Sequence, residues 1–168
     1  ESELGLVVER RDPGWENPGP LMAPLIAGDS DLAGMRRLAE RGEGLRTTSI
    51  RGLLGHDWSA DELAAAALGR RAFAAEMDDY LGDNPLLITP TVASLPFPAD
   101  DEGPIGPDGA PMDIVDWCPF TFAMNLTGQP AATVPAGWTT DGLPVGIQIA
   151  ARRFEDRRLL RVAAHLER

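Results

Sequence analysis

Residues 117–151 read Trp117-Cys118-Pro119-Phe120-Thr121-Phe122-Ala123-Met124-Asn125-Leu126-Thr127-Gly128-Gln129-Pro130-Ala131-Ala132-Thr133-Val134-Pro135-Ala136-Gly137-Trp138-Thr139-Thr140-Asp141-Gly142-Leu143-Pro144-Val145-Gly146-Ile147-Gln148-Ile149-Ala150-Ala151. Trp117 to Gly128 is compatible with a short helix. Ala131–Trp138 and Pro144–Ala151 then read as two extended segments. Within the second, Val145, Ile147 and Ile149 alternate with Gly146 and Gln148, the period of two that a strand requires. Asp141-Gly142 lies between them and is a hairpin signal, because a tight turn needs residues that tolerate positive φ. Polar groups interrupt the apolar run at Asn125. An Asn there needs partners if buried, and it can brace a loop through backbone bonds. Gly128 and Pro130 would fix the turn into the strand that follows.

Working outward, a final helix is expected from about Glu155. Glu155 and Asp156 suit its positive N-terminus, and Leu159, Leu160, Ala163 and Leu166 form its apolar stripe. Upstream, Leu86 to Thr89 is apolar without alternation, as expected of a strand buried on both faces, and Pro90 stops it. Residues from about Ser94 to Asp116 are rich in Pro, Gly and Asp and read as a long stretch without regular structure, of the kind that is a functional loop, a lid or disordered. Ser59-Ala60-Asp61-Glu62 has capping-box form and opens a helix. Leu63, Ala67, Phe73, Met77, Tyr80 and Leu81 recur through it at helical spacing, and Gly82 is placed to end it. Leu21 to about Leu45 looks helical, with Gly28 and Gly34 dividing it into two shorter helices. Arg11 to Pro20 is a loop, and Gly5 to Arg10 a short strand. The class is α/β, and 168 residues suffice for a real hydrophobic core in one domain, residues 1–168.

Apolar residues make up 43% of the chain, so it is not a disordered one. No apolar run approaches the roughly 18 residues of a membrane span, so no membrane partner is expected. Glu1-Ser2-Glu3-Leu4 lacks a basic region followed by an apolar one, so no signal peptide is expected, and a start without Met fits a processed chain or a fragment. The single cysteine, Cys118, excludes an internal disulfide and a cysteine-based zinc site. A reducing, cytoplasmic setting follows as the expectation. The net charge is −11, and between Arg71 and Arg152 there are eleven acids and no basic residue. A nucleic-acid groove needs clustered positive charge, so no nucleic-acid partner is expected. All fifteen basic residues are arginine, so no mechanism needing a lysine base can run on this chain alone.

Residues that could form an active site unaided are few. Two isolated histidines, His56 and His165, and scattered carboxylates give no metal-ligand spacing, so no metal and no cofactor are expected. Cys118 with either histidine is a formal nucleophile–base pair. It lies in the most acidic third of the chain, however, between Trp117 and Pro119, where a packing role suits it better. None of the five serines sits in a Gly-x-Ser-x-Gly elbow. Asp78-Asp79 and Asp100-Asp101 are adjacent carboxylates, better suited to solvation than to acid–base work.

One ordered pattern resembles a known family. Phe120-Thr121, then Asn125 to Ala132, Val134-Pro135-Ala136-Gly137 and Gly142 to Ile149 are similar to the C-terminal pattern of the amidase-signature family. Phe154-Glu155-Asp156, Leu159-Leu160 and Ala163-Ala164 continue it. Asp83 through Leu86-Leu87-Ile88-Thr89-Pro90-Thr91 looks like that family's strand leading to a Pro-Thr turn. The resemblance is carried by residues 83–167, extends through 48–82 and thins over 1–47.

The resemblance implies the C-terminal part of an α/β/α fold with a mixed sheet and an antiparallel hairpin near the C-terminus. It also implies amide hydrolysis, or ammonia transfer, by a Ser–cis-Ser–Lys triad through an acyl-enzyme. The triad belongs to the family's N-terminal half. With no lysine and no Gly-Ser-Ser-Gly loop, no catalytic residue carries over, and the isolated chain is expected to be inactive. What remains is one wall of the acyl pocket, with Thr91, Trp117, Cys118 and Phe120 as candidate substrate contacts. Core packing competes for Trp117, Cys118 and Phe120. Asn125, Gly128 and Pro130 are read as structural. The implied partners are the missing N-terminal catalytic portion and a small-molecule amide, with a homo-oligomer as a further expectation, since the chain alone should expose apolar surface. The alternatives are a non-catalytic chain completing a split enzyme, a stand-alone cysteine hydrolase, or within the family a 6-aminohexanoate cyclic dimer hydrolase or the amidating component of a tRNA-dependent amidotransferase. The acidic balance disfavours the last.

Overall fold

The computed structural model describes residues 7–42, 47–101 and 103–167, with the backbone alone at Asp83. A 3₁₀ turn at Gly19–Leu21 leads into helices α1 (Met22–Asp29) and α2 (Leu32–Glu40). They are followed by α3 (Thr48–Gly55) and the long α4 (Ala60–Asp83). Strand β1 (Leu86–Pro90), helices α5 (Ile114–Trp117) and α6 (Pro119–Thr127), strands β2 (Ala131–Trp138) and β3 (Pro144–Ala151), and helix α7 (Asp156–Leu166) complete the order.

The sheet runs β1-β3-β2 with β3 in the centre. Both pairings are antiparallel, so the three strands present here do not make the mixed sheet that was expected. The hairpin does form as read. Its turn is closed by the Gly142 N–H to the Thr139 carbonyl (3.0 Å) and the Thr139 N–H to the Leu143 carbonyl (2.8 Å). Pro135 sits in β2, an edge strand, where its missing N–H costs no ladder bond, and the register shifts between Pro135 and Gly137.

Alternation along β3 sends its side chains into two apolar layers. Ile149 and Ala151 pack with Val134 and with Leu159, Val162 and Ala163 of α7. Ala150 faces the other way, into Phe73, Met77 and Leu81 of α4 and Ala123, Met124 and Leu126 of α6. The sheet is therefore sandwiched between α7 and the α4–α6 pair, an α/β/α arrangement. Met77, Leu81 and Ile149 are the largest fully buried side chains. Each contributes roughly 1.5–3 kcal/mol of apolar transfer.

Several expectations change. Val7–Arg10 form no strand, while Gly5 and Leu6 lie outside the described residues. The division of the first helical region falls at Ser30–Asp31, where the Asp31 side chain accepts from the Gly34 N–H and starts a new helix; Gly34 is inside α2. Leu45 lies outside the described residues. α3 was not anticipated. β1 is an edge strand and not buried on both faces, with Ile88 44% exposed. On α7 the buried stripe is Leu159, Val162 and Ala163, while Leu160 and Leu166 are exposed, because the helix meets the sheet one position round from the expected face. The capping box at Ser59 is present in full, and α4 ends at Asp83, one residue past Gly82.

Candidate functional site

The end of β1 meets β2, β3 and the start of α6 in a polar cluster set in apolar surroundings. The Thr91 N–H donates to the Gly146 carbonyl (3.2 Å) and continues the β1–β3 ladder by one residue. The Thr91 hydroxyl donates to Thr133 Oγ1 across the sheet face (3.4 Å). The approach is close because residue 146 is glycine. A Cβ there would lie 2.9 Å from Thr133 Cγ2 and 3.0 Å from Thr91 Oγ1.

Gln148 is 4% exposed on the same face. Its Nε2 donates to Thr89 Oγ1 and to the Phe120 carbonyl, both at 3.2 Å. It thus ties β1, β3 and α6 together from inside. Sequence reasoning missed Gln148 because alternation with isoleucines suggests a polar outward position. The signal that could have found it is its flank of Gly146 and Ala150, small residues that suit a second covered face.

Trp117 ends α5. Its carbonyl accepts from the Ala93 N–H (2.8 Å), and its ring stands edge-on to Phe97 (centroids 5.4 Å, planes 80° apart). The indole Nε1 is buried and has no acceptor among the described residues. A cleft of about 170 Å³ lies beside it, lined by Pro90, Ser94, Phe97, Trp117, Val145 and Gly146 among others. Of the four candidate contacts, Trp117 lines this cleft, Thr91 adjoins it through Pro90 and Gly146, and Cys118 and Phe120 sit at the α5–α6 junction.

Cys118 separates α5 from α6. Its carbonyl accepts from the Thr121 hydroxyl (3.0 Å) and the Phe122 N–H (3.3 Å). Burial pushes its thiol above the ordinary value, against a smaller lowering by the hydrogen bond to Thr121. A thiol so placed is not poised as a nucleophile. Neither histidine serves it. The His56 Nε2 lies 2.9 Å from Glu62 Oε1 at the start of α4, and His165 is on α7, across the sheet. No cluster of three or more metal-ligating side chains occurs among the described residues.

The structural trio is placed as follows. Gly128 ends α6 in the left-handed conformation, φ 72°, with its N–H on the Met124 carbonyl. The Pro130 carbonyl accepts from the Ala151 N–H (3.0 Å), joining the entry of β2 to β3. Asn125 is exposed on α6. The buried polar residues nearby are Thr127, whose hydroxyl donates to the Ala123 carbonyl (2.8 Å), and Gln129, whose Nε2 donates to Asp78 Oδ1 (2.7 Å).

Comparison with known proteins decides the family. Residues 39–160 match the Amidase family. The chain belongs to that family. An acylamidase of Rhodococcus erythropolis is 36% identical over 98% of this amidase chain, which spans 35% of that protein. A putative amidase of Mycobacterium tuberculosis is 38% identical over 49% of the chain and 17% of its own length. Among solved structures, a bacterial aryl acylamidase of the amidase-signature enzymes superposes with TM-score 0.77 at 28% identity, over 99% of this chain and 37% of that one. A 6-aminohexanoate cyclic dimer hydrolase shares the fold, with TM-score 0.74 at 23% identity, over 99% of this chain and 38% of that one. This amidase chain thus spans about a third of the length of the acylamidase and of both solved structures. Among the described residues no helix is long and apolar enough to cross a membrane.

Proposed function

We propose that this chain is the C-terminal third of an amidase that cleaves carboxamide C–N bonds through an acyl-enzyme. It supplies part of the core and one wall of the substrate pocket, and it is inactive alone. The observation that carries the reading is the family match over residues 39–160 in a sequence with no lysine at all. The wall is the surface around Thr91, Trp117, Cys118 and Phe120. The cleft beside Trp117 is apolar, lined by Phe97, Val145 and prolines, and suits the acyl or aryl part of a small amide. The lysine base and the serines come from the remaining amidase polypeptide, and a reducing, cytoplasmic setting suits the lone Cys118 thiol.

The test is hydrolysis of an aryl acyl amide. The chain alone gives no turnover above buffer. Joined to amidase sequence that supplies serine and lysine, it turns over, and Trp117→Ala raises KM about tenfold or more with a smaller effect on kcat, as loss of a binding wall requires. Hydrolysis by the chain alone that Cys118→Ala abolishes would overturn the proposal.

A further inference from the structure

Three features converge where β3 turns into α7. Phe154 is 96% exposed, the most exposed large apolar side chain described. Its backbone is left-handed, φ 67°, and it is the one non-glycine residue with positive φ among the described residues. That conformation strains a bulky side chain and recurs where the surroundings make use of it. Beside it lies a groove of about 430 Å³ lined by Asn125, Gln129, Arg153, Phe154 and Asp156 among others. Gln129 is 6% exposed, and its orientation is set by the Asp78 carboxylate, which accepts from Nε2. Its Oε1 is therefore left as a buried acceptor with no donor among the described residues.

We infer that Phe154 and this groove dock the remaining amidase polypeptide, which offers an apolar socket for the ring. The inference rests on the proposed function. The occupant follows from length, since the acylamidase relatives are nearly three times as long as the part this chain matches. An aromatic ring held out by a strained backbone, within a polar rim, is the form that anchors a protein interface.

The test is photo-cross-linking of the protein in its native cells, with p-benzoylphenylalanine at position 154 and, as control, at Thr140 in the β2–β3 turn. The expected product at 154 maps by peptide mass spectrometry to amidase sequence outside residues 1–168, in the same polypeptide or another. It exceeds the Thr140 control at least fivefold. A product joining two copies of this chain, or a yield equal to the control, overturns the docking. Amide hydrolysis on the same preparation separates the two ideas. Hydrolysis without the cross-link defeats the docking alone, and the cross-link without hydrolysis defeats the catalytic reading alone.

Discussion

The absent side chain at Gly146 sets how closely β1, β2 and β3 converge at Thr91. Gly146→Ala places a methyl 2.9 Å from Thr133 Cγ2 and 3.0 Å from Thr91 Oγ1. Thr133 sits on a strand and has few alternative rotamers, so the substitution is expected to cost about 1–3 kcal/mol in denaturant unfolding. Thr133→Ser removes the clashing carbon and should recover much of the loss; equal destabilisation in both backgrounds would show that the contact is not the cause. Phe154 presents the opposite case, since its side chain touches little and its backbone conformation is costly for any residue but glycine. Phe154→Gly should raise the stability of the isolated chain by about 1 kcal/mol, the relieved strain exceeding the added freedom of the unfolded chain. A lower melting midpoint for that variant would mean that the ring packs in solution.

At the scale of elements, α4 is held by its first turn. The Ser59 Oγ accepts from the Glu62 N–H (3.2 Å), while Glu62 Oε2 accepts from the Ser59 N–H (2.8 Å) and hydroxyl (2.7 Å). Those bonds, with His56 as a further donor, hold the Glu62 carboxyl at about 2 instead of 4.5. A pKa depressed by folding contributes stability above the unfolded value, and the contribution is lost as pH falls from 4.5 toward 2. Loss of the N-cap in Ser59→Ala should by itself cost about 1 kcal/mol at neutral pH, and the gap from the parent chain should narrow across that acid window as Glu62 is protonated. A carboxyl NMR titration of Glu62 should show the low midpoint in the parent and a return toward the ordinary value in the variant; an ordinary midpoint in the parent would refute the cap. This helix was legible in the sequence because its signals are local: a cap, a stripe, a stop. The β2–β3 hairpin was legible for the same reason, its bounds matching at Ala131–Trp138 and Pro144–Ala151. What escaped was decided at a distance. Gln148 is buried because α6 covers its face, and Leu160 is exposed because α7 turns Leu159, Val162 and Ala163 to the sheet. Of the candidate site, the family pattern pointed to Thr91, Trp117, Cys118 and Phe120 as residues, whereas the cleft beside Trp117 and the contacts of Thr91 with Thr133 and Gly146 needed the register of three strands.

For the whole molecule, the balance lies between uncovered apolar surface and charge. α7 covers only part of its face of the sheet. Ile88 and Val145 on that face are exposed, as are Leu143 in the turn and, on the opposite face at the end of β2, Trp138 (72%), and β1 and β2 are the edge strands of the sheet among the described residues. Surface of this kind drives association, and open strand edges add a template for pairing. Opposing it is a net charge of −11, carried by the stretch between Arg71 and Arg152, which holds eleven acids and no basic residue. Copies of the chain repel one another at low ionic strength, and added salt screens that repulsion within about 10 Å at 0.1 M while leaving the apolar attraction intact. The isolated chain is therefore expected to be closest to monomeric in dilute buffer, to bind an apolar dye, and to gain mass in light scattering as sodium chloride rises toward about 0.5 M, where screening is stronger still. Trp138→Lys with Val145→Lys should lower both dye binding and salt-driven mass, although the two lysines reduce the net negative charge that opposes association. That last comparison separates the forces: if charge alone governed, the double variant would associate more than the parent, and if the apolar patch governs, it associates less.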